Sequence, residues 1–404
     1  MLIATKDRIL PTTVTGSWPR PSWFQGNLHE RPFSSAMADV TYREQFVDAV
    51  GSVLNDQELA GLDILTNGDY HLDADIGGRS WFSYPSERFS GTSEFDTEST
   101  FGWRYPVGSW LNEIVGGWKY HTVDDKIGVR APLEFAKIWR IAQARTELPV
   151  KFGTISADLS ASVLTIKTDA YAQDKQDLMW DIAGILNAEL RELAAAGCDV
   201  IQIEEPAIHS AAAYGAPAEY LDFLVDLFNH TVEGLEDCEV WVHTCWGNPG
   251  AQHCFDPQIS YEPSVDIYLN RLNADVWTIE SKENNHSLLP ALKPYKGSLP
   301  KKVAVGMISH RRLQVETPED VAADIRTALE YIDAEKLVLS SDCGFGRQGV
   351  PRPIALYKAA ALAQGANIVR GELGAEQKEV RAADPALQVD DIVRDALAPA
   401  PGQR

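Results

Sequence analysis

Short runs of β-branched and apolar residues recur along the chain, and between them lie longer stretches with apolar residues at helical spacing. The runs are TTVTGS (12–17), LDILTNGD (62–69), PVKFGTIS (149–156), CDVIQIEE (198–205), EVWVHTC (239–245), ADVWTIE (274–280), KVAVGMIS (302–309) and KLVLSSDC (336–343). Residues 176–196 form one predicted helix, with Gly197 as its stop. Residues 317–332 form another, with Thr317 as N-cap and Pro318 at the first helical position. Strand followed by helix is the rhythm of βα units on a parallel sheet. Eight such units is the count of a (β/α)8 barrel, and an α/β fold of that kind is expected. Doubly wound sheets alternate in the same way, so the count alone leaves both open.

The segment 70–130 departs from the rhythm. It is rich in Trp, Tyr, Phe, Ser and Gly, and Trp81, Trp103, Trp110 and Trp118 make it too aromatic for a disordered stretch. It reads as a long aromatic-rich insertion after the second strand. The expected organisation is one barrel over residues 1–404, with the insertion at about 70–130 and a frayed tail at 383–404.

Composition narrows the partners. The formal charge is −22, from 58 acidic and 36 basic residues, and no basic stripe offers itself to nucleic acid or an anionic membrane. An anionic ligand would need local arginines such as Arg20, Arg311, Arg312 or Arg347. Five cysteines, an odd number at irregular spacing, argue against a disulfide framework and for a reducing compartment. The first residues carry no signal-like apolar core, and no apolar run reaches membrane-spanning length, so a cytoplasmic location is expected.

The chemistry gathers at strand ends. In VWVHTCWGN, His243 and Cys245 lie two residues apart and share one face of a strand. A parallel barrel places every strand's C-terminal end on one rim, and that rim carries the chemistry. Glu280 closes the sixth strand and Cys343 the eighth. Taken singly, each is more often a packed thiol, a hydrogen-bonded imidazole or a paired carboxylate. Together, His243, Cys245, Glu280 and Cys343 make a donor set suited to zinc. His209 is a competing ligand, whereas the neighbours His253 and Cys254 would face opposite ways if extended and read as loop residues.

The segments LPTTVTGSWPR, IQIEEPA, VHTCW, DVWTIES and SSDCGFGR carry a resemblance. In that order they resemble the catalytic C-terminal half of cobalamin-independent methionine synthases, and the likeness runs over nearly the whole chain. It implies a (β/α)8 barrel, zinc on His243, Cys245, Glu280 and Cys343, and a thiol substrate that attacks an alkyl group. It further implies that Gly16 and Ser17 contact the amino-acid carboxylate. Asp69 and Glu204 would bind the ammonium, with side-chain lengths exchanged relative to the family. His310 matches the family's proton donor to the departing group, and Asp342 stands where it can orient a ligand.

The chain also departs from the family. The likeness takes up nearly all of the given sequence, so no counterpart of the N-terminal barrel that helps hold the folate polyglutamate tail is expected. TISADLSASVL has no Gly-Pro turn, and Leu164 replaces the tryptophan that packs on the pterin. The expected activity is therefore methyl transfer to a thiol, most plausibly homocysteine, from a donor smaller than a folate polyglutamate or from a methylcorrinoid protein. Two other readings stand beside it. One is an epoxide:coenzyme M-type thiol transferase, which would use Arg20 and Arg311 for the sulfonate. The other is a zinc-binding barrel without turnover.

Overall fold

The computed structural model describes residues 3–97, 108–247 and 260–385. Ten strands are present among them: β1 (Leu65–Thr66), β2 (Phe89–Thr92), β3 (Thr122–Val129), β4 (Val150–Ile155), β5 (Thr165–Ile166), β6 (Val200–Glu204), β7 (Glu239–Thr244), β8 (Val276–Ile279), β9 (Lys302–Ile308) and β10 (Leu337–Ser341). Seven pair in parallel in the order β1-β4-β6-β7-β8-β9-β10 and curl into a barrel wall. The predicted first strand closes the ring. Thr13 N donates to Leu339 O of β10 (2.9 Å), while Asp63 N and Ile64 N, leading into β1, donate to Thr12 O (3.0 and 3.1 Å). The eight expected staves are therefore all present, in the order of a (β/α)8 barrel.

The first two staves are shorter than their sequence patterns, for local reasons. Asp63 accepts the Thr12 amide on its side chain (2.9 Å), replacing a ladder bond. Gly68 and Asp69 both adopt positive φ (75° and 57°), which turns the chain out of the strand after Thr66. The connections also vary. Gln176–Ala195 is an α-helix that buries Leu178, Ile182, Leu186, Leu190 and Leu193, and it ends before Gly197 at φ 100°. Pro318–Leu329 is capped by Thr317, whose side chain accepts the Asp320 amide at 3.1 Å, worth about 1 kcal/mol. Between β8 and β9 the chain forms 3-10 turns (Lys282–Asn284 and Leu289–Tyr295), where Pro290 and Pro294 withhold the amides an α-helix would use.

The described parts of the insertion are folded. Arg79–Ser86 is helical, β2 pairs antiparallel with β3, and β3 pairs in parallel with β5, which follows β4. Ile114, Val115, Trp118 and Tyr120 of the insertion form a separate apolar cluster with Val163. Leu164, which leads into β5, is buried in the main core. Trp103 and the tail from residue 386 lie outside the described residues. At the opposite end of the barrel, Glu239 accepts the amides of Ile3 and Thr5 (2.7 Å each), and Ala4 packs with Trp241, Val276 and Val338. That end is sealed by the chain's own start, leaving the C-terminal rim open. Among the described residues no helix is long and apolar enough to cross a membrane.

Candidate functional site

Strand register builds the rim. Glu204 of β6 pairs with His243 of β7, and His243 with Thr278 of β8. His243 is fully buried, neither ring nitrogen makes a hydrogen bond, and its Nε2 lies 3.5 Å from Glu204 Oε2. Cys245 follows on the same face, and Cys343 arrives from the end of β10. One ligating atom from each of His243, Cys245 and Cys343 lies within 4.8 Å of the others. The contact between the two thiols separates them. Cys343 is held well below the usual thiol range, with the Cys245 thiol as the largest cause and His243 assisting. Cys245 is correspondingly pushed well above it. These two buried thiols and the His243 imidazole form a group that could hold a metal ion.

Glu280 stands one step aside. It closes β8 as expected, yet the tight group it belongs to contains His310 and Asp342. Its Oε2 accepts the Trp246 amide (3.0 Å) and its Oε1 accepts Arg311 Nη2 (3.1 Å). Asp342 accepts three amides of the turn after Glu280, from Ser281 (2.8 Å), Lys282 (2.8 Å) and Glu283 (2.9 Å), and so fixes where Glu280 sits. Only glycine fits opposite it, since a Cβ on Gly306 would lie 2.0 Å from Asp342 Oδ1. His310 is fully buried without a hydrogen bond, and burial with Arg311 nearby lowers its pKa to about 4.

The second group of expected residues also converges. Gly16 adopts φ 66°, and its Cβ position faces Asp69 Oδ2 at 3.7 Å. Ser17 Oγ is buried without a hydrogen-bond partner, while Ser17 O accepts the amides of Phe345 (2.8 Å) and Gly346 (3.1 Å). Burial, then the charge of Glu204, raises Asp69 to about 7. Burial raises Glu204 as well, against the pull of His243.

Sequence reasoning missed the cation beside this pair. Lys151 of β4 is buried, donates to Gln202 Oε1 (2.7 Å), and lies 4.6 Å from the Trp241 ring centroid. Desolvation lowers its pKa to about 7, opposed by Glu204 and Asp69. Gln202 in turn donates to Glu204. A lysine inside the otherwise apolar run PVKFGTIS was the available signal.

A cavity of about 380 Å³ opens over the second group, lined by Ser17, Asp69, Gly78, Trp81 and Arg347 among others. The Arg347 guanidinium carbon sits 4.6 Å from the Trp81 ring centroid, and its Nη2 lies 3.9 Å from Cys343 Sγ. The cavity wall thus joins the insertion to the rim. Arg20 is engaged by the carbonyls of Gly26 (2.9 Å) and Tyr70 (3.1 Å). His209 bonds Ser264 Oγ (2.8 Å) and packs edge-on against Trp246, away from the thiols' group, and His253 and Cys254 lie outside the described residues.

Comparison with known proteins gives a consistent picture. The model of the family described as "Cobalamin-independent synthase, Catalytic domain" matches residues 139–364, a span that begins after the insertion. A methionine synthase of Saccharolobus islandicus is 30% identical over 367 residues, covering 90% of this chain and 96% of that protein. One of Sulfurisphaera tokodaii is 29% identical over 375 residues, covering 90% and 94%. Among solved structures, the B12-independent methionine synthase from Shewanella sp. W3-18-1, in complex with selenomethionine, is 27% identical with a TM-score of 0.73. That match covers 91% of this chain and 99% of the other. A putative vitamin-B12-independent methionine synthase from Listeria monocytogenes, 16% identical with a TM-score of 0.59, shares the fold.

Proposed function

Because the chain belongs to the cobalamin-independent methionine synthase family, we propose that this methyltransferase methylates the sulfur of homocysteine with the help of zinc held by His243, Cys245 and Cys343. The observation that carries the reading is the buried imidazole of His243 facing two thiols, with the carboxylates of Glu204 and Asp69 nearby. Zinc bound there would supply a Lewis acid that keeps the substrate sulfur deprotonated, since a free thiol with a pKa of about 8.5 is mostly protonated near pH 7. Glu280 would be the fourth ligand, and its bond to Arg311 gives the carboxylate a partner away from the thiols.

The chain's own groups set the rest. Asp69 and Glu204 take the ammonium of homocysteine, while Ser17 and the backbone at Gly16 take its carboxylate. The sulfur forms its bond to the methyl carbon as the bond from methyl to donor breaks, and the donor departs with that electron pair. The proton that the homocysteine thiol gives up is the one His310 would relay to the departing donor, taken at one ring nitrogen as the other gives up its own. The selenomethionine held by the Shewanella relative is an amino acid with the shape of the product this reading requires.

The donor is smaller than a folate polyglutamate, or is a methylcorrinoid protein. Leu164 lies in the core instead of presenting an aromatic face to the mouth, and Trp81 from the insertion walls the cavity. A sulfonate-bearing thiol fits less well, because Arg20 is spent on carbonyls and Arg311 on Glu280. The test is methionine formation by zinc-loaded protein from homocysteine with methylcobalamin, methyltetrahydrofolate or its polyglutamate. Product is expected with methylcobalamin and little with the polyglutamate. Coupling of coenzyme M to an epoxide, without methionine from any donor, would overturn the reading.

A further inference from the structure

A second cluster of ligating groups lies outside the site described above. His121 immediately precedes β3, Asp96 follows β2, and Glu30 lies in the loop before the helix Phe33–Met37. One atom of each lies within 4.8 Å of the others. His121 is fully buried, and its Nδ1 sits 2.7 Å from Ser93 O. A carbonyl can only accept, so Nδ1 carries a proton, and Nε2 is the ring atom left to face the carboxylates. That atom lies 3.3 Å from Asp96 Oδ1 and 3.6 Å from Glu30 Oε1. Nε2 and Asp96 Oδ1 are both buried without a hydrogen-bond partner. Glu30 and Asp96 are partly exposed, but these two atoms are not, and with the ring's proton on Nδ1 their lone pairs would repel unless a cation lay between them.

The separations favour one kind of cation. An N–H···O bond needs about 2.7–3.2 Å, and both separations exceed it. A tetrahedral zinc bound at about 2.0–2.2 Å to nitrogen and oxygen sets them about 3.4 Å apart, which the two separations bracket. An octahedral magnesium at about 2.0–2.1 Å would set cis ligands about 3.0 Å apart, closer than either. Two carboxylates and a neutral imidazole balance a divalent charge. The other oxygen of Asp96 takes Arg79 Nη1, leaving Oδ1 to ligate.

We propose that His121, Asp96 and Glu30 form a second metal site, for a tetrahedral divalent ion of the zinc type with water in the fourth position. It would tie two points of the insertion to the loop that follows the first barrel stave. The inference stands apart from the role given to the rim.

The test is metal content of the full chain. Zinc-saturated, desalted wild type is expected to hold two zinc per chain, and a Cys245→Ser/Cys343→Ser variant one. Adding His121→Gln should remove that last ion, and Glu30→Gln should weaken it at least tenfold. Cobalt(II) in the double variant should show tetrahedral visible bands without thiolate charge transfer, and zinc should raise its melting temperature only while His121 is present. If the double variant misfolds by circular dichroism, the same loss of one zinc is read in wild type against His121→Gln alone. A folded double variant without metal, or His121→Gln with undiminished metal, would overturn the site. Imidazole NMR would then show His121 protonated at both nitrogens, a proton standing where the metal was placed.

Discussion

The rim and the insertion place functional groups in different ways. At the rim, His243, Cys245, Glu280 and Cys343 sit within two residues of strands whose parallel ladders fix their height and direction. In the insertion, Trp81 and His121 are held by a small sheet, by cation–π and apolar contacts, and by side-chain bonds to neighbouring loops. Backbone ladders suit chemistry that tolerates little displacement, whereas side-chain contacts suit a wall that selects a partner. The two regions meet where Arg347 touches both Trp81 and Cys343. The difference predicts that changes at the rim abolish turnover, while changes in the insertion alter which donor is used.

The largest effect should come from the thiols. Cys245→Ser or Cys343→Ser should lower methionine formation at least a thousandfold, about the several kcal/mol a Lewis acid supplies. The melting temperature should stay within a few degrees, since the barrel core lies elsewhere. Retained turnover in either variant would break the comparison at its stronger end.

Next in size is a stability effect at Asp69. Below about pH 4 its carboxyl is protonated in both folded and unfolded chains. From there to about pH 7 the unfolded chain ionises it while the desolvated group in the folded chain keeps its proton, so the native state loses stability as pH rises. The loss could reach about 4 kcal/mol for a shift of this size. Asp69→Asn removes it. The variant should match wild type near pH 4 and exceed it at pH 8 in denaturant unfolding. A variant advantage that shrinks as pH rises would show that Asp69 is not desolvated.

The sequence made the rim legible because strand period and strand ends are local signals. All eight staves and both predicted helices lie where the pattern placed them. What it could not reach depends on non-local packing. The charge of Lys151 gave no hint that it would lie among Trp241, Gln202 and Glu204. Arg311 was weighed as an anion ligand, yet it holds Glu280. The insertion looked like irregular chain, because β5 pairs with it from the far side of β4, a contact no periodicity announces.

Glu204 tests the rim's reading of the substrate. Losing a buried hydrogen bond to a charged group costs about 1.5–3 kcal/mol. Glu204→Gln should therefore weaken homocysteine binding tenfold to a hundredfold. Mercaptoethanol, which has no ammonium, should lose less than threefold in isothermal titration on zinc-loaded protein. Lys151 already answers part of the negative charge, which keeps the effect below that of an unpaired carboxylate. Equal losses for both thiols would mean that the carboxylates do not read an amine.

The smallest effect should come from Trp81, and it decides whether the insertion selects the donor. Its ring lines the cavity, stacks on Arg347 and packs edge-on against Phe82 at 4.8 Å. A cation–π contact of this kind is worth about 0.5–2 kcal/mol, and the indole face adds apolar contact to whatever enters the cavity. Trp81→Ala should raise KM for the methyl donor about threefold to tenfold, while homocysteine affinity stays within twofold of wild type. Trp81→Phe keeps a ring face over Arg347 and should recover most of the loss. A structural defect would instead lower kcat with every donor and reduce the melting temperature. If both substrates weaken together, the insertion supports the rim as a brace, and the division of labour between the two regions disappears.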